Sequence, residues 1–317
     1  MKKKDFYKKL ILRVKSAVNA SRIPRSFSKK NNNVFSNEQH IIMQVLMQFE
    51  GKRFRDMPYF LELLQNELNL QRLPHFSTIN KFSLRVKPVF IENLITSLVK
   101  SNKQRTIAID GTGFSLVRRS VYFGTVVGEI KQFIQYVACA DIESKLITAI
   151  NLKRKKRNEN IAVPQLMRKT SKSGKVSVYI ADKLYDSERN HELAEKHGAK
   201  FIAPLRNQNI PIRRRKGKNR KKLAKEFPQI LYNKRSVIES VFSVIKRKFG
   251  NMLYSKKYKS QKNEILFRTV AYNIDRLEKI DFRIYFLQSR NKLVIDSQIK
   301  HFFMKKCGSK DSNLGRH

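Results

Sequence analysis

The chain has 317 residues, of which 41% are hydrophobic, and this is enough apolar material to bury a sizeable core. Lys and Arg number 68 against 25 Asp and Glu, which gives a formal net charge of +43. Such a chain repels itself unless a polyanion neutralises it, so we expect nucleic acid as its partner. No stretch contains 18 uninterrupted apolar residues and no signal peptide is evident. We therefore expect no membrane partner and a cytoplasmic, nucleoid-associated location.

The sequence does not indicate a metal site built from Cys or His. Cys139 and Cys307 lie far apart and show no ligand-type spacing, and the 6 His are scattered. Both zinc and a disulfide framework are therefore poorly supported.

The first third of the chain predicts helices that follow a basic arm. Residues 1–35 are basic and polar and end in SKKNNNVF, whose Asn run predicts a loop or flexible arm. Ser36 or Asn37 then caps a helix that Gly51 ends. Two further helical patterns follow, MPYFLELLQNELNL and FSTINKFSLRVKPVF, with Pro74 between them.

Three short helices with a tight link before the third form the layout of a helix-turn-helix unit. We therefore assign residues 36–100 as a helical DNA-binding region. A small helical bundle that does not read DNA gives the same pattern and remains an alternative. The side chains that the third helix would present to DNA are Thr78, Asn80, Lys81 and Arg85.

From Arg105 the pattern changes to β-strands. TIAIDGTGF predicts a buried strand that runs into a Gly-broken turn, with Asp110 at its carboxyl end. VYFGTVV, IKQFIQYVACA and KLITAINLK predict an antiparallel meander, and a polar helix follows at about 160–172. KVSVYIAD predicts a second buried strand, which ends on Asp182. SERNHELAEKHG then predicts a capped helix and AKFIAPL a further strand.

The run IRRRKGKNRKKLAK is strongly basic and has no apolar periodicity. It predicts a mobile loop or a phosphate-binding segment. A solvated charge run that binds nothing specific is an equally supported alternative.

The stretch from Leu231 to Phe249 predicts a helix with two different faces. Apolar side chains occupy one side and would face a core. On the other side, within an arc of roughly 60°, lie four polar side chains. These are Tyr232, Arg235, Glu239 and Lys246. A solvated face with one i,i+4 ion pair is the alternative interpretation.

Asp110, Asp182 and Glu239 together predict a metal site. Aspartates at strand ends and a glutamate on a packed helix can converge on one point, but their repulsion then requires cations. Carboxylate oxygens are ligands that Mg²⁺ or Mn²⁺ prefers, and two such ions about 4 Å apart promote attack at a phosphodiester. Singly, each acid also fits a turn, a cap or an ion pair. Jointly they predict metal-dependent phosphoryl transfer on nucleic acid.

The polar face of the predicted helix resembles a motif of a known protein family. Its four residues reproduce the Y-(2)-R-(3)-E-(6)-K signature of insertion-sequence DDE transposases. DGTGF at Asp110 resembles the family's first-aspartate motif, and ADKLYDSERN at Asp182 resembles the second, usually seen as ADKGYDS followed by Asn. Leu184 stands where the family generally has Gly, and the position that matches the second ligand is Asp182, not Asp186. The resemblance covers roughly residues 36–280.

What the resemblance implies is an RNase H-like α/β fold, a mixed sheet flanked by helices, at residues 101–285. An N-terminal all-helical DNA-binding bundle would precede it, and a basic tail would occupy residues 286–317. Asp110, Asp182 and Glu239 would hold two Mg²⁺ or Mn²⁺ ions. Arg235 and Lys246 would grip phosphates near the scissile bond, and Tyr232 would contact the terminal nucleotide.

The implied function is transposition of an insertion sequence. The protein would bind the terminal inverted repeats of its element as a homodimer on double-stranded DNA, cleave there, and join the freed 3′ ends to target DNA. Two alternatives remain open at this point. One is a non-catalytic or decayed DNA-binding protein, and the other is a metal-dependent nuclease without strand transfer.

Overall fold

A computed structural model describes residues 3–27, 34–116, 133–154, 158–207 and 209–307. The chain divides into two compact units, Met1–Ile274 and Asp275–His317. All the candidate site residues belong to the first unit. Within the described residues, no helix combines the length and the apolar character needed to cross a membrane.

A mixed six-stranded sheet forms the centre of the first unit. Its main strand order is β3-β2-β1-β4-β5, and β6 pairs with the far end of β1. Strands β1, β2 and β3 are antiparallel neighbours, whereas β4 and β6 run parallel to β1 and β5 runs parallel to β4. The strands are β1 Arg105–Leu116, β2 Phe133–Asp141, β3 Ile147–Lys153, β4 Val176–Ala181, β5 Lys200–Ile202 and β6 Met252–Leu253. This order confirms the RNase H-like α/β fold. The predicted strand VYFGTVV lies outside the described residues.

Helices precede the sheet, connect its strands and follow it. In the described part of the chain they are α1 Lys3–Ala20, α2 Asn37–Glu50, α3 Met57–Glu62, α4 Phe76–Arg85, α5 Pro88–Leu98, α6 Val163–Ser171, α7 Glu188–Lys196, α8 Lys218–Lys225, α9 Gln229–Asn233, α10 Ser236–Phe249 and α11 Tyr258–Cys307.

The sheet is covered on both faces, because alternate residues of β1 enter two different apolar clusters. Ala108 belongs to a cluster that includes buried residues of the N-terminal helices, α10 and α11. Its neighbours Ile107 and Ile109 belong to a second cluster with residues of α6, α7 and β5. β1 is thereby fixed in the middle of the unit, and it carries Asp110.

The prediction of an unfolded basic arm is wrong for α1. This helix buries apolar side chains spaced three or four residues apart, so they share one face. The buried residues are Tyr7, Leu10, Ile11, Val14 and Val18. Lys8 and Lys9 are exposed, outside this buried face, and do not oppose its packing.

The third predicted helix of the bundle is divided into two. α4 ends at Arg85, and α5 begins at Pro88. Lys87 between them is extended, with φ −80° and ψ 135°. This follows from the proline, because its ring disfavours a helical conformation of the residue before it.

Two predictions near the candidate site also need correction. β1 does not turn at the glycines after Asp110 but continues to Leu116, because β2 pairs with it as far as Ser115. Asp110 therefore lies within β1, not at its carboxyl end. The single helix predicted from Leu231 is broken at Lys234 and becomes α9 and α10. The predicted apolar face of α10 is confirmed, with Ile238, Val241, Phe242, Ile245 and Phe249 buried.

Candidate functional site

Asp110 and Asp182 lie side by side where the parallel ladder between β1 and β4 ends. Ile109 and Ala181 form the last pair of that ladder, and each aspartate is the next residue along the chain. Each carboxylate accepts the backbone N–H of the residue that follows it, at 2.8 and 2.6 Å respectively. The register of the sheet thus brings the two predicted ligands together.

Arg235 connects Asp110 with Glu239. It immediately precedes α10, and Glu239 is in the first turn of that helix. One guanidinium nitrogen of Arg235 donates to Asp110 Oδ2 at 3.0 Å and another to Glu239 Oε1 at 2.6 Å. The Glu239 side chain is 55% exposed, whereas the other two are 20% exposed. Three of the predicted site residues therefore meet across the junction of β1 and α10.

The environment of Asp110 disfavours its ionised form. Burial raises the pKa of the Asp110 carboxyl to about 6. The N–H of Gly111 and the charge of Arg235 oppose this rise, whereas the charges of Glu159 and Asp182 add to it. Asp110 therefore lies where an additional cation would be stabilised.

The donor set fits a hard divalent ion, although no ion position is preformed. Within the described ranges, no three His, Cys, Asp or Glu side chains are arranged as ligands around one point. The guanidinium of Arg235 lies between two of the acids and bonds to both Asp110 and Glu239. The oxygens on offer are carboxylates, which Mg²⁺ prefers, and Asp110 carries unfavourable negative charge that such an ion would neutralise.

Lys246 is held against the same strand as Asp110. Its ammonium donates to Thr112 Oγ1 at 2.6 Å and lies 5.9 Å from the ring centre of Phe114. Asp110, Thr112 and Phe114 are alternate residues of β1 and so share one face of the sheet. Burial lowers the pKa of the Lys246 ammonium. The structure thus places this predicted phosphate contact on the Asp110 side of the sheet.

Tyr232 lies apart from the carboxylates, on α9. Its ring packs edge-on against Phe227 at 5.3 Å between ring centres. It also lines a cavity of about 510 Å³, together with Leu223 of α8 and Arg215. Among the described residues, no hydrogen bond joins Tyr232 to the candidate acids.

Comparison with known protein families identifies the family of the domain that contains this sheet. The family described as "Transposase DDE domain" matches residues 101–274, more than half of the chain. The chain belongs to the transposase DDE-domain family. The resemblance noted in the sequence is therefore confirmed at the level of the family. No curated protein matches the chain by sequence.

Solved transposase and integrase assemblies resemble this DDE-family chain only distantly. A cryo-EM piggyBac transposase synaptic complex with hairpin DNA shares 12% identity over 98% of this chain and 82% of that chain, with a TM-score of 0.49. A Drosophila P element transposase strand transfer complex shares 10% identity over 80% of this chain and 66% of that chain, with a TM-score of 0.30. A simian T-cell lymphotropic virus intasome with the PP2A regulatory subunit B56 gamma shares 11% over 68% of each chain, with a TM-score of 0.26. Scores below 0.5 add nothing to the family assignment.

The predicted DNA-reading residues of this transposase-family chain lie on α4. Asn80, Lys81 and Arg85 are exposed and Thr78 is half-buried. The inner face of α4 buries Ile79, Phe82 and Ser83. No hydrogen bond or ion pair of the described residues joins these four side chains to the carboxylates. The DNA-reading role of α4 stays a prediction.

Asp186, the second aspartate of the ADKLYDSERN motif, has a different environment. Its side chain is fully buried and accepts two hydrogen bonds from the guanidinium of Arg220, at 2.9 and 2.7 Å, and one from the backbone of Arg206 at 2.9 Å. Glu188 accepts the N–H groups of Asn219 and Arg220 in the first turn of α8. The basic run is therefore not a mobile loop here, since α8 is fixed to the segment that follows Asp182.

Leu184 does not disturb the turn where most members of the family have Gly. It lies in a short 3₁₀ turn, Lys183–Tyr185. The described non-Gly residues with positive φ are Arg22, Asn69 and Lys145, so Leu184 has an ordinary backbone conformation. A glycine is not required at this position of the fold.

Sequence reasoning missed Glu159, which lies beside Asp110. A Cβ atom added to Gly111 would be only 2.3 Å from Glu159 Oε1. A topological signal was available, because a third strand of an antiparallel meander runs parallel to the first. The turn after β3 therefore returns the chain to the edge of the sheet where Asp182 follows β4. An acid in that turn is positioned to join the site.

Proposed function

We propose that this protein is an insertion-sequence transposase that cleaves DNA at the ends of its element and joins the freed 3′ ends to target DNA. The observation that carries the proposal is the junction of β1, β4 and α10. There Asp110 lies beside Asp182 and shares one guanidinium with Glu239. This junction falls inside the matched transposase DDE domain.

The three carboxylates of Asp110, Asp182 and Glu239 would hold two Mg²⁺ or Mn²⁺ ions. Such ions supply activation of the attacking oxygen and stabilisation of the leaving oxygen in phosphodiester chemistry. The chain itself would supply the placement of these ligands, with the sheet register positioning Asp110 and Asp182 and α10 positioning Glu239. When no ion is bound, the single charge of Arg235, which bonds to both Asp110 and Glu239, offsets part of the repulsion between them.

Arg235 and Lys246 would bind the phosphates next to the scissile bond. An arginine side chain can donate two parallel hydrogen bonds to a phosphate, which sets orientation as well as affinity. Lys246 adds a point charge on the Asp110 side of the sheet. Tyr232, with its ring on the rim of an apolar cavity, would contact the terminal nucleotide.

Double-stranded DNA, as element ends and as target, would be the partner of a homodimer. The net charge of +43 supports a polyanionic partner. The helices before residue 100 would form the DNA-binding region, with Thr78, Asn80, Lys81 and Arg85 on its exposed helix. Lys221, Lys222 and Lys225 of α8 are exposed as well and would bind phosphates from the segment anchored next to Asp182.

The experiment that tests this proposal is an incubation of the purified protein with DNA that carries the sequences flanking its gene. Products are compared with Mg²⁺ and with EDTA, in the presence of a supercoiled target plasmid. We expect metal-dependent cuts at the element ends and joined products in the plasmid. Cuts without joined products would indicate a nuclease, and DNA binding without cuts would indicate a binding protein. Either outcome contradicts the proposal.

A further inference from the structure

The carboxylate of Glu159 is packed against the backbone next to Asp110. Glu159 begins the 3₁₀ turn Glu159–Ala162 that leads into α6. A methyl group at Gly111 would overlap both carboxylate oxygens of Glu159, at 2.3 and 2.4 Å. Only a residue without a side chain therefore lets this carboxylate reach β1 next to Asp110, and it does so from the face opposite to the Asp110 side chain.

Two neutral side chains hold Glu159 in this position. The phenol of Tyr185 donates to Oε2 at 2.5 Å and the amide of Gln135 donates to Oε1 at 3.2 Å. Tyr185 is fully buried and follows Asp182 by three residues, whereas Gln135 is on β2 opposite Gly113 of β1. Glu159 is thus bonded to the segment that follows Asp182 and to β2, the strand that pairs with the strand of Asp110.

Glu159 has no cationic partner among the residues that the structure describes. The one guanidinium at the site, that of Arg235, bonds to Asp110 and Glu239, and Lys246 bonds to a hydroxyl. A carboxylate that lies near other acids without a cationic partner is repelled by them, which costs stability. Neutral donors instead fix the position of Glu159 and leave its charge in place.

We propose that Glu159 is a fourth carboxylate of the metal centre, which helps Asp110 hold a divalent ion. This inference rests on the proposed function and adds one residue to its ligand set. Tyr185 and Gln135 act as positioning residues for Glu159. The role of Gly111 is to leave room for the carboxylate between β1 and the turn before α6.

The test is a titration of the DNA-free protein with Mn²⁺, followed by the electron paramagnetic resonance signal of the free ion. Glu159→Gln keeps the size of the side chain and removes the charge. Its amide oxygen can still accept from Tyr185, whereas its amide nitrogen cannot accept the longer bond from Gln135. We expect Glu159→Gln to weaken Mn²⁺ binding by about tenfold or more. The Mg²⁺ concentration for half-maximal DNA cleavage should rise by a similar factor. Glu195→Gln, at an exposed position of α7, is the matched control and should change neither value.

Thermal unfolding in EDTA shows whether the glutamate serves the fold instead. Glu159→Gln removes repulsion and at most the 3.2 Å hydrogen bond from Gln135, so its unfolding temperature should stay within about 5 °C of the wild type. A fall of more than about 5 °C, which exceeds the loss of one hydrogen bond, or failure of this variant to fold, would show a structural charge and overturn the inference. Equal Mn²⁺ affinity of the variant and the wild type would also overturn it, with the proposed function intact. Absence of Mn²⁺ binding to the wild type would overturn both.

Discussion

Asp182 and Asp186 are four residues apart in one segment, yet they occupy opposite kinds of environment. Asp186 is fully buried, and its two oxygens accept three hydrogen bonds from Arg220 and Arg206. Asp182 is half-buried and accepts one backbone N–H, and no Lys or Arg of the described residues pairs with it. It faces Asp110 across the end of the parallel ladder.

This difference indicates two roles: Asp186 is an anchor that holds α8, and Asp182 is available as a metal ligand. The oxygens of Asp186 already accept three hydrogen bonds from arginines, so an ion there would compete with the bonds that fix α8 and the basic run. The charge of Asp182 is not neutralised by the fold and remains available to a cation. Neutralising the ligand should therefore abolish chemistry and spare stability, whereas neutralising the anchor should do the reverse.

The largest expected effect is that of Asp182→Asn on DNA cleavage. Loss of one ligand charge should reduce the Mg²⁺-dependent cleavage rate at least about a thousandfold. Stability and DNA affinity should be close to those of the wild type, because the side chain makes one backbone hydrogen bond. Rates are measured on DNA with the element ends. An Asn variant that cleaves at the wild-type rate would remove Asp182 from the site.

Asp186→Asn should instead lower stability. It breaks a buried ion pair and leaves Arg220 without its partner, which costs about 3 kcal/mol or more. Urea unfolding of the variant and the wild type measures this loss. Cleavage assayed at a temperature where the variant is folded should stay within a few-fold of wild type. A stable variant with no cleavage activity would mean that Asp186, and not Asp182, is the ligand.

Asp110→Asn sharpens the comparison because it should stabilise the metal-free protein at neutral pH. The pKa of Asp110 is about 6 against an ordinary value of 3.8, which corresponds to a gain of up to about 3 kcal/mol. The folded state binds this proton more tightly than the unfolded state, so the wild type loses stability as the pH rises from 3.8 to 6. The stability advantage of Asp110→Asn over the wild type should therefore be complete above pH 6 and become smaller below it.

Urea unfolding in EDTA at pH 7.5 and at pH 4.5 checks this expectation. The advantage of Asp110→Asn over the wild type should be clearly smaller at the lower pH. A variant that is less stable than the wild type at pH 7.5 would show that the bond to Arg235 outweighs burial. Asp110 would then resemble the anchor Asp186.

The smallest expected effect concerns the basic helix that Asp186 anchors. Replacing both Lys221 and Lys222 of α8 by Gln should reduce the slope of log affinity against log salt by about 2 for duplex DNA. The matched control replaces Lys172 and Lys175, which are exposed and precede β4, at the end of that strand opposite to Asp182. If both double variants show the same reduction in slope, α8 does not contact DNA phosphates more closely than the control region does.

Several features of the fold could be predicted from local sequence. The two faces of α10 follow from helical spacing, and the start of α7 follows from Ser187, whose side chain accepts the N–H of Asn190. The buried strands on either side of Gly174 were recognisable by their apolar runs. Each of these features depends on residues that are close together in the chain.

The features that were missed depend on distant partners. β1 continues beyond Asp110 because β2 pairs with it, and α1 folds because other parts of the chain cover its apolar face. The proximity of Glu159 to Asp110 requires the order of three strands, which no local pattern contains. The bond from Arg235 to Asp110 spans 125 positions of sequence, whereas its i,i+4 bond to Glu239 was visible in the helical pattern.

The measurement that tests the central claim most directly is DNA cleavage by Glu239→Gln. This change keeps the hydrogen-bonding shape of the side chain and removes the charge that an ion requires, on a residue that is 55% exposed and adds little to the fold. With DNA carrying the element ends and Mg²⁺, binding should equal or exceed that of the wild type, and cleavage should fall at least about a thousandfold. Glu195→Gln, the exposed control, should cleave normally. Wild-type cleavage by Glu239→Gln would reduce Glu239 to a surface partner of Arg235 and contradict the proposed metal centre.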